Sequence, residues 1–176
     1  MKYCLWVVIL VTVGCSSNRY FIVRHAEKII MTKDSADMMA NNPPLSEAGK
    51  ERAFVLRDEL KGKHIGYIFS TNTLRTISTV QPLNELKKNR QIQLYSPAKD
   101  SLLPFINRLK AISKDNVLIA GHSNTVDDIV NALCGEVKIP GDLKDSEYDK
   151  LFIVKRKGKK MFFEQKKYGL SSSSGK

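Results

Sequence analysis

The chain has 176 residues, 42% of them hydrophobic and 27% charged, which is an ordinary balance for one globular domain with its own core. Its formal net charge of +11 at pH 7 favours anionic partners such as phosphorylated substrates or acidic lipid, unless the basic surface is simply solvated. The lysines accompany no RNP, zinc-finger or basic-zipper pattern, so the sequence argues against a nucleic-acid-binding protein.

Residues 1–15 have the composition of a signal peptide. The apolar run over residues 3–13 is too short for a bilayer core, which needs about 20 residues, but it suits a signal h-region. A small residue followed by Cys15 resembles a bacterial lipobox, although Thr12 stands where such boxes usually carry leucine. We therefore predict an exported protein, lipid-anchored through Cys15 in a bacterial cell envelope, with the membrane leaflet left open. An ordinary signal peptide and a short buried strand are the alternatives.

The rest of the chain is predicted to be a short tether at residues 16–19, a domain over residues 20–168 and a disordered serine-rich tail over residues 169–176. Apolar runs and helical periodicity alternate along the domain. In chain order they predict a strand at 20–23, a helix at 46–60, a strand at 65–69, a helix at 73–88, a strand at 91–95, a helix at 101–112, a strand at 117–120, a helix from 126 to 133 and a β-hairpin over 151–164. This order predicts a three-layer α/β/α sandwich with a mostly parallel central sheet and a C-terminal β-hairpin.

Three predicted strands end in residues suited to phosphoryl chemistry. The first ends at Arg24 and His25, the second shortly before Arg75, and the fourth just before His122. Ligands of parallel sheets bind at the carboxyl ends of the strands, so these four side chains are expected at one edge. Arginine binds two phosphoryl oxygens at once, and a neutral imidazole can attack phosphorus. A zinc site is the competing interpretation, but arginines beside the histidines, in place of carboxylates or cysteines, argue against it.

These residues lie in four segments that resemble the histidine phosphatase superfamily, which includes the phosphoglycerate mutases. The segments follow the family's order and are Arg-His-Ala-Glu at 24–27, Pro-Pro-Leu-Ser-Glu-Ala-Gly at 43–49, Ser-Thr-Asn-Thr-Leu-Arg-Thr at 70–76, and the strand with Gly-His-Ser at 117–124. The resemblance implies that His25 is the nucleophile and that Arg24, Arg75 and His122 bind the phosphate. It implies no metal and no organic cofactor.

The general acid is the part of the mechanism that no motif marks. We predict Asp100, because it follows the third strand through a short loop and relatives keep an acidic residue in that region. Asp100 also precedes an apolar helix, so the alternative is that it only caps that helix. Glu47 and solvent are the competing acids. His64 matches no motif and is predicted to be a surface histidine.

The spacing of the motifs indicates the kind of phosphatase. Only 46 residues separate Arg75 from His122, and the predicted strands and helices use most of them, which leaves little for a lid. An open site resembles the short phosphohistidine-phosphatase branch of the family. We therefore predict a general extracytoplasmic phosphomonoesterase acting on phosphorylated small molecules or proteins. The alternatives are a phosphatase specific for a nucleotide-, lipid- or sugar-linked phosphate, and a catalytically idle, membrane-tethered binder of anionic ligands.

Overall fold

The computed structural model describes residues 17–30, 41–88 and 91–172, so the predicted signal peptide and Cys15 lie outside the described residues. Six strands and four helices follow one another along this part of the chain. They are β1 (Ser17–Arg24), α1 (Glu47–Leu60), β2 (Ile65–Ser70), α2 (Leu74–Leu86), β3 (Ile92–Leu94), α3 (Lys99–Ala111), β4 (Asn116–Gly121), α4 (Val126–Cys134), β5 (Lys150–Lys157) and β6 (Lys160–Lys167). No helix in the described ranges is long and apolar enough to cross a membrane.

The strands form one sheet in the order β3-β2-β4-β1-β5-β6. The first four strands are mutually parallel, while β5 runs antiparallel to β1 and β6 antiparallel to β5. The predicted α/β fold with a mostly parallel sheet and a terminal hairpin is confirmed. The carboxyl ends of β1, β2, β3 and β4 consequently meet at one edge, where β5 begins.

The two faces of the sheet carry separate cores because side chains alternate along each strand. Tyr20 and Ile22 of β1 pack with α3 and α4, while Phe21 and Val23 pack on the opposite face with α1 and α2. All four side chains are at most 2% exposed. Burial of each contributes about 1.5–3 kcal/mol, so β1 is anchored firmly between the two helix layers.

The first strand begins earlier than the sequence predicts. Ser17 pairs with Lys157, and Asn18 is buried and donates from Nδ2 to Ile112 O at 3.1 Å. Residues 17–19, predicted as part of a tether, are therefore strand. The polar composition of these residues does not indicate a strand, and the partners that hold them in the sheet lie more than 90 positions away in the sequence.

The described part of the tail is also tied down, unlike the predicted disorder from residue 169. Arg52 donates to Tyr168 O at 2.8 Å and to Leu170 O at 2.9 Å. The same guanidinium forms an ion pair with Glu27 at 2.6 Å. The buried side chain of Arg52 therefore connects the tail to the segment that follows β1. Residues 173–176 lie outside the described ranges.

The start of α1 packs directly against the backbone that follows the β1 exit. Ser46 is the N-cap, as predicted, and its Oγ accepts from Gly49 N at 3.2 Å. Ser46 N in turn donates to Glu27 O at 2.9 Å. A Cβ at position 49 would lie 2.1 Å from Glu27 O, so only glycine allows this approach. The helix start thereby fixes the chain two residues after His25.

Candidate active site

The carboxyl ends of the strands border an open cleft of about 760 Å³. All four residues singled out by the strand exits, Arg24, His25, Arg75 and His122, line it. Its other walls come from the loops after β1, β3 and β4 and the loop before β5, through Lys28, Ser96, Pro97, Ala98, Ser123, Asn124, Asp142 and Asp145. The structure therefore brings together the four side chains that the sequence placed at one edge.

His25 is held as a neutral imidazole. His25 is only 3% exposed, and the charges of Arg24 and Arg75 act on its imidazole ring. Burial, with the two guanidinium charges adding to it, lowers the pKa of His25 to about 3. Nδ1 lies 2.8 Å from Ala26 O, which can only accept, so Nδ1 carries the proton. The lone pair is then on Nε2, the arrangement that a nucleophilic imidazole needs.

Arg24 is fixed by the loop that precedes β5. Its Nη1 donates to Lys144 O at 2.8 Å and to Asp145 O at 3.0 Å, and its guanidinium lies 4.2 Å from the centre of the Tyr148 ring. Burial lowers the pKa of Arg24, and Tyr148 and Asp145 oppose this effect. Nε is buried and has no hydrogen-bond partner in the part of the chain that the structure describes. Nη1 of Arg24 thus has a structural role, whereas Nε is left as a buried donor.

Arg75 brings unpaired donors to the cleft. Its Nε and Nη1 are buried, and no residue in the described ranges 17–30, 41–88 and 91–172 hydrogen-bonds to either atom. Burial and the nearby charge of Arg24 lower the pKa of Arg75. A buried donor without a partner costs about 1–3 kcal/mol, and more when it is charged. Two neighbouring guanidiniums with unmet donors are strong evidence for a site that takes an anion.

His122 stands beside His25 and contacts Thr71 at the end of β2. The two imidazole centres are 5.5 Å apart, and His122 Nε2 lies 2.9 Å from Thr71 Oγ1. Burial, followed by the charges of Arg75 and Arg24, lowers the pKa of His122 to about 4. An anion bound in the cleft would oppose both arginine charges and so would raise the pKa of His122.

The remaining predicted residues lie away from the cleft lining. Asp100 is exposed in the first turn of α3 and accepts from Ser101 Oγ at 3.2 Å. It is not the cap of this helix either, because the N-cap is Ala98, with no side-chain hydrogen bond. Glu47 is exposed and paired with Lys50 at 2.7 Å. His64 is a surface residue, as predicted, 2.8 Å from Asp115.

Sequence reasoning missed Tyr148 and the loop before β5. Tyr148 contacts Arg24 and its ring centre lies 5.9 Å from that of His25. The loop is also linked to the tail, since Tyr148 N donates to Ser172 Oγ at 2.9 Å. The one signal available was the hairpin itself, because a strand antiparallel to β1 must begin at the edge where β1 ends.

Metal-ligand chemistry has no counterpart in the part of the chain that the structure describes. No group of three or more His, Cys, Asp or Glu side chains there could hold a metal ion. The two histidines of the cleft are accompanied by Arg24, Arg75 and Lys28, and Asp142 and Asp145 also line it. The buried donors of the two arginines suit the cleft to an anion.

Comparison with known proteins agrees with this chemistry. Residues 20–96 match the family model of the histidine phosphatase superfamily (branch 1). No curated protein sequence shows significant similarity to the chain. Among solved structures, SixA of Agrobacterium tumefaciens, assigned as a phosphohistidine phosphatase, has a TM-score of 0.62 at 17% identity, with 87% of this chain and 98% of that one covered. The ecdysone phosphate phosphatase of Bombyx mori, solved with tungstate, has a TM-score of 0.64 at 15% identity, covering 90% of this chain and 97% of that one.

A third similar structure is the mycobacterial glucosyl-3-phosphoglycerate phosphatase, with a TM-score of 0.59 at 13% identity, covering 88% of this chain and 100% of that one. At these identities the structures establish the fold. The family match confirms the resemblance over residues 20–96, which hold three of the four sequence segments, and it supports the prediction of a histidine-phosphatase-type enzyme.

Proposed function

We propose that this protein, a histidine phosphatase by its family match over residues 20–96, hydrolyses phosphomonoesters through a covalent phosphohistidine at His25. Nε2 of His25 attacks phosphorus, the bond from phosphorus to the ester oxygen breaks, and the leaving oxygen takes a proton. Water then attacks the phosphohistidine, which releases inorganic phosphate and restores the neutral imidazole.

The observation that carries this proposal is a neutral imidazole beside unsatisfied guanidiniums. The His25 pKa of about 3 keeps Nε2 unprotonated at physiological pH, and Arg75 presents buried donors that find no partner among the residues that the structure describes. Negative charge that develops on the phosphoryl oxygens would be stabilised by these donors, whose positions are already fixed in the fold. Preorganised donors of this kind are each worth about 10²–10³ in rate.

The proton for the leaving oxygen comes from water in this proposal. Asp100 is exposed outside the cleft lining, so its carboxyl is neither desolvated nor directed by the site. The open cleft admits water to the leaving group, which was one of the alternatives left by the sequence. Phosphate esters with good leaving groups should therefore be the preferred substrates.

The substrate class follows from the shape of the cleft and from the predicted anchor. Between α2 and β4 the described residues contain only β3 and α3, and the loop that joins them lines the cleft through Ser96, Pro97 and Ala98. An open cleft suits bulky or varied phosphomonoesters on small molecules or protein surfaces. We propose that export and lipidation at Cys15 place this activity outside the cytoplasm on a membrane, on the evidence of the apolar run and the lipobox-like residues.

Trapping the intermediate tests the proposal. The protein is acid-quenched during turnover of labelled para-nitrophenyl phosphate, and the adduct is expected to be labile in acid and stable in base. His25→Ala should abolish adduct and turnover, while the matched control His64→Ala removes an exposed histidine and should retain both. Robust turnover by His25→Ala would refute the proposal. Binding of tungstate without any turnover by the wild-type chain would favour the idle binder instead.

A further inference from the structure

The edge of the sheet opposite the cleft is lined with lysines. The amino-terminal ends of the parallel strands meet there, together with the turn of the β5–β6 hairpin. Residues 61–64 and 87–88 each contribute two lysines, the loop before β4 contributes Lys114, and the hairpin turn contributes Lys157, Lys159 and Lys160. We call this surface the basic edge. Within the described part of these loops the one carboxylate is Asp115, which pairs with His64.

The charges of the basic edge are close enough to act on one another. Ser17 pairs with Lys157 and Arg19 with Lys155 in the sheet register. The pKa of Lys155 is lowered, first by the charge of Lys157 and further by burial and Arg19. Lys87 reaches across to donate to Lys61 O at 2.7 Å, so the loops before β2 and β3 are joined. Such a concentration of positive charge attracts an anionic surface and is screened by salt.

We propose that the basic edge docks on a bilayer of anionic phospholipid, with the cleft turned away from the membrane. This inference goes beyond the proposed phosphatase activity and does not depend on it. Lysine ammonium groups on separate loops suit a bilayer surface that presents many mobile headgroups. Each lysine that lies within a Debye length of this surface adds to the attraction.

Two further observations favour lipid as the partner. Ser17, the first residue of β1, pairs with Lys157 on the basic edge and stands two positions after Cys15, the predicted lipid attachment site. Phe162 is 49% exposed, and its ring centre lies 5.8 Å from Lys157 Nζ. An exposed aromatic ring beside basic residues suits the boundary between lipid headgroups and acyl chains. The cleft lies at the far end of β1, roughly 23 Å away for a strand that rises about 3.3 Å per residue.

Vesicle binding by the full chain tests the proposal. Cys15→Ser removes the acylation site in every sample, and binding is compared between vesicles of phosphatidylcholine alone and vesicles that also contain phosphatidylglycerol. The apolar run over residues 3–13 contributes alike on both, so the difference between them measures the electrostatic part. Four substitutions neutralise the basic edge: Lys63→Gln, Lys114→Gln, Lys159→Gln and Lys160→Gln. The matched control removes four lysines from the cleft end of the molecule: Lys99→Gln, Lys144→Gln, Lys166→Gln and Lys167→Gln.

The basic-edge variant should lose at least about tenfold in its preference for phosphatidylglycerol at low salt, and the control about twofold or less. The preference of the unsubstituted protein should also fall steeply when salt is raised to about 0.15 M. Equal losses in the two variants would overturn the proposal, because net charge alone would then explain the binding. Displacement from the vesicles by a small amount of RNA would overturn it too, in favour of a nucleic-acid surface.

Discussion

Acid should destabilise this protein because it protonates a histidine in the unfolded chain that the folded protein keeps neutral. The pKa of His25 is about 3 in the fold against an ordinary value of 6.5. Below pH 6.5 the unfolded state therefore binds a proton that the folded state does not, and stability falls as pH falls. The loss is about 1.4 kcal/mol per pH unit, so His25 alone should remove about 2 kcal/mol between pH 7.5 and 5.0.

The perturbation that isolates this effect is His25→Asn. Asparagine can still donate to Ala26 O but does not titrate, so the loss of unfolding free energy between pH 7.5 and 5.0 should shrink by about 2 kcal/mol. Urea unfolding in phosphate-free buffer at the two pH values measures it. His64→Asn, which removes an exposed histidine, should leave the pH dependence close to that of the wild type. If His25→Asn showed the same pH dependence as the wild type, His25 would not be a buried neutral base.

Three further changes separate the roles of neighbouring residues. Arg75→Ala should lower turnover of para-nitrophenyl phosphate by about 10²–10³, with Arg57→Ala on the exposed face of α1 as the control; a loss under tenfold would contradict a role for its buried donors. Gly49→Ala should destabilise the fold, because the new methyl group would meet Glu27 O, whereas Gly62→Ala meets open space; equal unfolding midpoints in the two variants would contradict this. Asp100→Asn should change turnover of alkyl phosphates and of para-nitrophenyl phosphate by less than about twofold; a selective loss on alkyl phosphates would restore Asp100 as the general acid.

The edge of the sheet that borders the cleft was predictable because local sequence patterns specify it. β1 and β4 are apolar runs buried on both faces, and each delivers its functional residues at the position where the run stops. Arg24, His25 and His122 therefore follow from the strand ends alone, once the strands are known to be parallel. The N-cap Ser46 was predictable for the same reason, since the cap and the donor that it accepts from are three residues apart.

The parts that sequence reasoning missed depend on contacts between distant residues. Tyr148 lies beside Arg24 and His25 because β5 runs antiparallel to β1, and the hairpin pattern does not reveal which strand it joins. The tail at residues 169–172 has a disordered composition, yet Arg52 binds it from a helix more than 110 positions earlier. Asp100, whose catalytic role stays a prediction, lies in the first turn of α3 and is not among the residues that line the cleft.

The outer strand of the hairpin, β6, affects whether copies of this protein can associate edge to edge. Among the described strands β6 has a neighbour on one side only, and the backbone groups of its other side are a template on which a second copy could add a strand. Lysines at positions 160, 166 and 167 are exposed along this strand, and like charges would have to come face to face for two such strands to join. At the opposite border, β3 is only three residues long and offers little to extend. Both borders of the sheet thus resist self-assembly, a property of value to any protein concentrated in two dimensions.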